Sequence, residues 1–222
     1  MKYGVIGTGA IGGYYGARLA QSGQELHFLL RSDYEYVRQH GLQIDSCDGS
    51  FHLDAPHVYN TTADMPQCDV VLVCLKSINN NKLRDLLPPL LSPRTLVVLI
   101  QNGIGVEQDV QQMFPDVQLA AGLAFICSAK TEPGRVNHQC YGQINLGNYS
   151  CRDDALFTVY ATRLRLPSPH GDSLSLYASH RDCPRGWLRH AQTGHARSGT
   201  QIFGCEFIIF RHLMKPAMAM TT

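Results

Sequence analysis

Three glycines, Gly7, Gly9 and Gly12, stand in the spacing G-x-G-x-x-G, with Thr8, Ala10 and Ile11 between them. Glycine loses more conformational freedom on folding than any other residue, so six of them within residues 3–20 answer some local demand. In this spacing the first permits a tight turn and the second lets a pyrophosphate approach the backbone. The third lets a helix pack closely on a strand. The amides at the mouth of that helix, and the positive end of its dipole, suit an anion. The implied chemistry is capture of a dinucleotide; the alternative is a glycine-rich turn with no ligand. Which dinucleotide depends on a position about 20 residues further on, where an NAD site places an acid against the ribose 2′-hydroxyl. Here the sequence reads "HFLLRSD": Arg31 holds the place and Asp33 arrives late. A guanidinium suits a 2′-phosphate through charge-assisted contacts, so NADP is the expected cofactor. The competing reading of Arg31 is a solvated residue at a strand end.

Two other stretches end apolar runs in polar side chains. "VVLVCLKS" ends a buried strand in Lys76, and "LVVLIQNGIG" ends another in Asn102-Gly103. Both put a polar group at the carboxyl end of a central strand, where ligands bind in open α/β sheets. A surface lysine and a turn asparagine are the plainer readings. No metal is expected. His170, His180, His190, His195, Cys183 and Cys205 match no zinc spacing, and His138 and Cys140 alternate on a strand and read as structural. No Ser-His-Asp arrangement or nucleophile elbow is present.

The elements that must position these groups follow from periodicity. Lys2–Ile6 reads as a strand, Ala10–Ser22 as a helix, Glu25–Leu30 as a second strand and Tyr34–His40 as a short helix. Val70–Leu75 and Leu96–Ile100 are continuous apolar runs, the pattern of strands buried on both faces in a parallel sheet. A helical stretch lies between them near Asn80–Leu91, interrupted by Pro88 and Pro89. Gly105–Phe114 reads as a helix, and Leu119–Ser128, Arg135–Cys140 and Gln143–Leu146 as strands. Strands alternating with helices predict an α/β fold, a Rossmann-type doubly wound and mostly parallel sheet over residues 1–155.

Residues 156–222 have a different texture, with no stable period of 3.6 or 2.0. From Cys151 onward the chain holds eight of its fourteen arginines and one of its five lysines. This poorly patterned tail reads as disordered, or as the product of a shifted frame or truncated gene. An unusual natural extension is the other reading. The whole chain has 222 residues, 44% of them hydrophobic, and a net charge of +1. That balance gives no electrostatic bias toward nucleic acid or an anionic membrane. No apolar run approaches the roughly 20 residues that span a bilayer. The eight scattered cysteines form no C-x-x-C pair, and with no basic-then-apolar start the expectation is a cytoplasmic protein. Its oligomeric state is left open.

With "PGRVNHQCYGQINLG" added to the glycine motif, Arg31, Lys76-Ser77 and "QNGIG", residues 1–155 resemble the ketopantoate reductase (2-dehydropantoate 2-reductase) family. The resemblance implies NADPH-dependent reduction of the 2-oxo acid 2-dehydropantoate to pantoate, in pantothenate biosynthesis. By match, Gly7 to Gly12 would hold the pyrophosphate and Arg31 the 2′-phosphate. Lys76 and Asn102 would lie beside the nicotinamide ribose and the substrate, and Ser128 or Ala129 near the nicotinamide. The family's helical second domain supplies a proton-donating lysine and a glutamate, and no match to it is found. "GWLRHAQ" sets Arg189 after Trp187 where that lysine would stand, Glu206 is not identified with the glutamate, and the catalytic residues stay unknown. A catalytically incomplete NADP(H)-binding protein, and a reductase of another 2-oxo acid, are the alternatives.

Overall fold

The computed structural model describes residues 1–164, together with the backbone of 174–177 and 206–207. Strand β1 (Lys2–Ile6), helix α1 (Ala10–Gln21) and strand β2 (Glu25–Leu29) stand where the sequence spacing places them, and so does helix α2 (Tyr34–His40). β1 lies parallel to β2, with Lys2 opposite Glu25 and Ile6 opposite Leu29. On its other side β1 pairs parallel with β6 (Val70–Val73), which pairs with β7 (Leu96–Leu99). The sheet continues through β8 (Gln118–Glu132) and β9 (Arg135–Asn148). With β3 (Leu42–Ser46), β4 (Phe51–Leu53) and β5 (His57–Tyr59), the strand order is β4-β3-β9-β8-β7-β6-β1-β2-β5. β10 (Leu174–Tyr177) pairs with β9, and β11 (Glu206–Phe207) with β8.

The apolar runs have a simple cause. In β6, Val70 and Leu72 pack into the core under α1, while Val71 and Val73 pack into a second core on the opposite face. In β7, Leu96 and Val98 join the first core, Val97 and Leu99 the second. Both faces are covered, so neither strand alternates with polar residues. The first core takes Tyr14, Tyr15 and Leu19 from α1 and Val37 from α2. The second takes Leu83 from α3 (Leu83–Leu86) and Val106 and Val110 from α4 (Val106–Met113).

The structure departs from the sequence expectation in four places. The helix expected near Asn80–Leu91 is a 3-10 turn at Ser77–Lys82, the single turn of α3, and a second 3-10 turn at Pro88–Leu90. Pro88 and Pro89 lack the amides that a continuous helix needs. The two strands expected within 135–146 are one strand, β9. The break at Tyr141-Gly142 is a local bulge, with positive φ at both residues and a register shift opposite Phe125/Ile126. Strands β3, β4 and β5 had no sequence assignment. Nor had α5 (Asp154–Arg163), which runs across the boundary placed at 155. α5 is capped by the Asp153 carboxylate, which accepts from the Leu156 amide at 2.9 Å, and it buries Phe157, Tyr160 and Ala161. The disordered or frame-shifted tail expected from the sequence falls almost wholly outside the described residues. Among those residues, no helix is long and apolar enough to cross a membrane.

Candidate functional site

A cleft of about 610 Å³ opens over the carboxyl ends of β1, β2 and β6. The chain leaves β1 for β2 on one side and joins β6 on the other, so this is where an open parallel sheet offers a crevice. Gly7, Thr8, Gly9, Ala10 and Ile11 form one wall. Leu30, Arg31, Ser32 and Asp33 form another, and Cys74, Leu75, Lys76, Asn79, Lys82, Ala129 and Lys130 close it.

The three glycines do three different things. Gly7 has φ of +96°, and a Cβ there would stand 2.8 Å from the Leu75 amide nitrogen. A Cβ on Gly12 would sit 2.4 Å from the Gly7 carbonyl oxygen and 2.9 Å from Val5, so α1 can approach β1 only without it. Gly9 differs: a Cβ there would meet no protein atom within 4 Å. Protein packing does not require glycine at position 9, and the space it leaves open belongs to the cleft. Gly9 is also the N-cap of α1; it offers no side chain, and the first turn holds no acid. The amides that open this helix lack intrahelical acceptors, and its positive end is left for an anion. The turn is held rigidly: Thr8 Oγ1 donates to the Leu29 carbonyl at 2.9 Å, and the Gly9 amide to the Gly7 carbonyl at 2.8 Å. A dinucleotide's pyrophosphate fits this cradle.

Arg31 stands exposed at the cleft wall just beyond β2. Asp33, which arrives too late to be the usual ribose acid, is 5% exposed and already engaged. Its carboxylate is ion-paired with Lys130, accepts the Gly134 amide at 3.1 Å and accepts the Ser32 hydroxyl at 3.0 Å. Burial pushes its pKa up, but the bonds from Lys130, Gly134 and Ser32 outweigh that and hold it below the ordinary value. Lys76 is exposed at the cleft wall beyond β6. Burial pushes the Cys74 thiol up to about 12, so this cleft cysteine stays protonated and is no nucleophile.

The remaining expected site residues are placed differently. Asn102 is exposed in the loop after β7, outside the residues that line the cleft. Its neighbour Gln101 ties that loop to the one after β6, donating to the Leu75 carbonyl and to Asn80 Oδ1, both at 2.7 Å. Ser128 is wholly buried behind the start of α1, its hydroxyl 3.5 Å from the Ala10 carbonyl, while Ala129 reaches the cleft. Lys82 and Lys130 also reach it, and sequence reasoning singled out neither. Away from the cleft, Cys47, Asp48 and His138 bring ligand-type atoms within 4.8 Å of one another. His138 Nδ1 lies 2.8 Å from the Ser46 hydroxyl, and Asp48 meets Arg18 at 3.8 Å. The tail histidines and cysteines weighed as ligands lie outside the described residues.

A glycine turn at the head of a helix, set in the crevice of a doubly wound sheet, defines a dinucleotide-binding α/β protein. The model of the ketopantoate reductase family PanE/ApbA matches residues 3–150, and the chain belongs to that family. It is 49% identical over 149 residues to the 2-dehydropantoate 2-reductase of Nostoc sp. strain PCC 7120, covering 67% of this chain and 47% of that protein. The chain therefore spans about half the length of the curated relatives it matches. A crystal structure of 2-dehydropantoate 2-reductase from Geobacter metallireducens GS-15 superposes with a TM-score of 0.73 and 34% identity, over 80% of this chain and 58% of that one. D-mandelate dehydrogenase, solved with NADH and anilino(oxo)acetate, gives a TM-score of 0.70 at 23% identity, over 80% of this chain and 57% of its own. At that identity the likeness is one of fold.

Proposed function

We propose that this chain binds NADPH in the cleft and belongs to a reductase that converts 2-dehydropantoate to pantoate, in pantothenate biosynthesis. The observation that carries the reading is the open space over Gly9, at the head of α1, in a cleft that also presents Arg31. The Gly7–Gly12 turn would hold the pyrophosphate through backbone amides, which approach closely because position 9 carries no side chain. Arg31 would meet the 2′-phosphate with a planar, permanently charged fork. Lys76, at the other end of the cleft, would lie beside the nicotinamide ribose and the 2-oxo acid. There its ammonium would stabilise charge developing on the ketone oxygen. Asn102 would orient the substrate from the loop after β7, and residues 128–129 would pass near the nicotinamide. The bound cofactor supplies the hydride that adds to the ketone carbon, and a proton completes the alcohol. Residues 1–155, together with the rest of α5 packed into the same core, would form the cofactor-binding unit. A cytoplasmic setting agrees with the six cysteines of the described residues, none of which is in a disulfide.

Fluorescence titration with NADPH and NADH, followed by NADPH oxidation at 340 nm with 2-dehydropantoate and a panel of 2-oxo acids, tests the reading. NADPH binding with turnover of 2-dehydropantoate is the expected result. Turnover of another 2-oxo acid instead makes this a related reductase. A second reading is NADP(H) binding without turnover, the outcome in which the nucleotide binds and no 2-oxo acid of the panel is reduced. Failure to bind either nucleotide overturns both.

A further inference from the structure

Lys130 reaches the cleft from the far end of β8, and the glycine motif gives no reason for it to be there. It arrives because β8 and β9 form a long antiparallel hairpin whose tip folds against the start of α2, where Asp33 is the N-cap residue. The two meet as an ion pair, with the Lys130 side chain 32% exposed and that of Asp33 6%. The hairpin tip does not depend on this pair alone. Arg135 donates to Asp45 at 2.6 Å, and the Gly134 amide bonds Asp33 independently of the lysine. What the lysine adds is charge.

Charge matters because Asp33 and Arg31 line the same cleft two positions apart. A carboxylate beside the residue that would read a 2′-phosphate repels that phosphate, and partial burial of Asp33 weakens the screening that would hide it. We propose that Lys130 is a specificity-determining residue of the cofactor cleft: its ammonium cancels the Asp33 carboxylate and so keeps the cleft open to a 2′-phosphate. The proposal rests on the reading of Arg31 as the phosphate-binding residue. It separates two tasks that one arginine is usually asked to perform. Arg31 attracts the phosphate, and Lys130 removes the nearby repulsion.

The test uses the full chain and four variants, Lys130→Met, Lys130→Arg, Asp33→Asn and the double variant Asp33→Asn/Lys130→Met. Each is titrated with NADPH and with NADH by fluorescence, and the thermal midpoint without cofactor is recorded. Lys130→Met should weaken NADPH binding about 5- to 20-fold, the scale of one partly screened charge, and leave NADH nearly unchanged. Lys130→Arg should keep the preference. The double variant should bind NADPH within about threefold of the parent, because the repelling carboxylate has gone with its partner. Equal losses for the two cofactors in Lys130→Met overturn the proposal, since a merely structural lysine would behave that way. So does a double variant as weak toward NADPH as Lys130→Met, which would mean that the lysine grips the phosphate itself. Should Lys130→Met not fold, Asp33→Asn decides alone: NADPH affinity should hold or rise, and a tenfold fall specific to NADPH overturns the idea. If the parent chain shows no preference for NADPH, it is the reading of Arg31 that has failed. That outcome is seen before any variant is compared.

Discussion

Gly9 and Gly12 are one turn apart on the same helix, yet their substitution by alanine should do opposite things. At Gly12 the new methyl would lie 2.4 Å from the Gly7 carbonyl oxygen, a backbone atom of a turn that cannot move without carrying the cradle with it. Overpacking of this kind costs about 1–3 kcal/mol and occasionally more. For a chain of this size each kcal/mol is worth roughly 2–4 °C, so the melting temperature should fall by about 2–12 °C. At Gly9 the methyl meets no protein atom within 4 Å, and φ of −92° suits an L-residue. The loss is then only that of a poorer N-cap, below about 1 kcal/mol. Affinity should move the other way. The methyl at position 9 occupies the approach to the helix amides, and a hydrogen bond to a charged group is worth roughly 1.5–3 kcal/mol. Gly9→Ala should therefore lose about 10- to 100-fold in NADPH affinity while still folding. Differential scanning fluorimetry and cofactor titration on the two variants decide the matter. Unchanged binding in Gly9→Ala would refute the placement of the pyrophosphate, and a Gly9→Ala variant that melts as low as Gly12→Ala would refute the packing argument.

Three other outcomes are expected. Arg31→Ala should lose about 10- to 100-fold in NADPH affinity, from one charge-assisted contact, and hardly change NADH; equal losses in parallel titrations would make Arg31 a residue of the fold. Phe157→Ala should cost about 3–5 kcal/mol, read as a lowered urea midpoint, because Phe157 is only 3% exposed in the core shared with α1; a loss under about 1 kcal/mol would detach α5 from the folded unit. Asp33 is held below its ordinary value of 3.8, so it binds a proton less readily folded than unfolded. Its stabilising contribution is present above that value and is lost as pH falls through the lowered native one. Urea titrations from about pH 5 downward should show a flatter decline for Asp33→Asn than for the parent, and identical slopes would mean that the ion pair does not form.

How much of this fold the sequence disclosed depends on where each element finds its partners. β1, α1, β2, β6 and β7 were legible because their patterns are local. A strand covered on both faces is apolar throughout, as Val70–Val73 shows, and a helix on one face keeps its period. β3, β4 and β5 were not. They are strands of three to five residues with half-exposed patterns, and β3 becomes a strand by lying against Arg135–His138, far along the chain. α5 escaped for a related reason. Its buried residues, Phe157, Tyr160 and Ala161, form no long stripe, and polar or charged neighbours dilute the period. Only the tertiary contact, including the Tyr160 hydroxyl donating to the Arg94 carbonyl at 3.1 Å, makes it part of the core.

The cofactor site divides along the same line, and the division says which residues merit mutation first. The glycine turn and Arg31 were legible because spacing within one β-α-β unit fixes where backbone and guanidinium must go. Asp33 was equally visible as a letter, but its meaning was not. An acid two residues past the expected position reads as late and irrelevant until the hairpin is drawn. Then the same carboxylate becomes the anchor for Gly134 and the counter-ion of Lys130, a residue nearly 100 positions away. A motif search therefore recovers the groups that attract a ligand, since these lie close together in sequence. It misses the groups that neutralise what would repel it, because those are supplied by whichever strand the fold brings alongside. On the reading proposed here the attracting groups of this cleft are Gly9 and Arg31, and the neutralising group is Lys130. Variants of the first pair test whether a phosphorylated dinucleotide binds. Variants of the second test why the neighbouring acid does not prevent it.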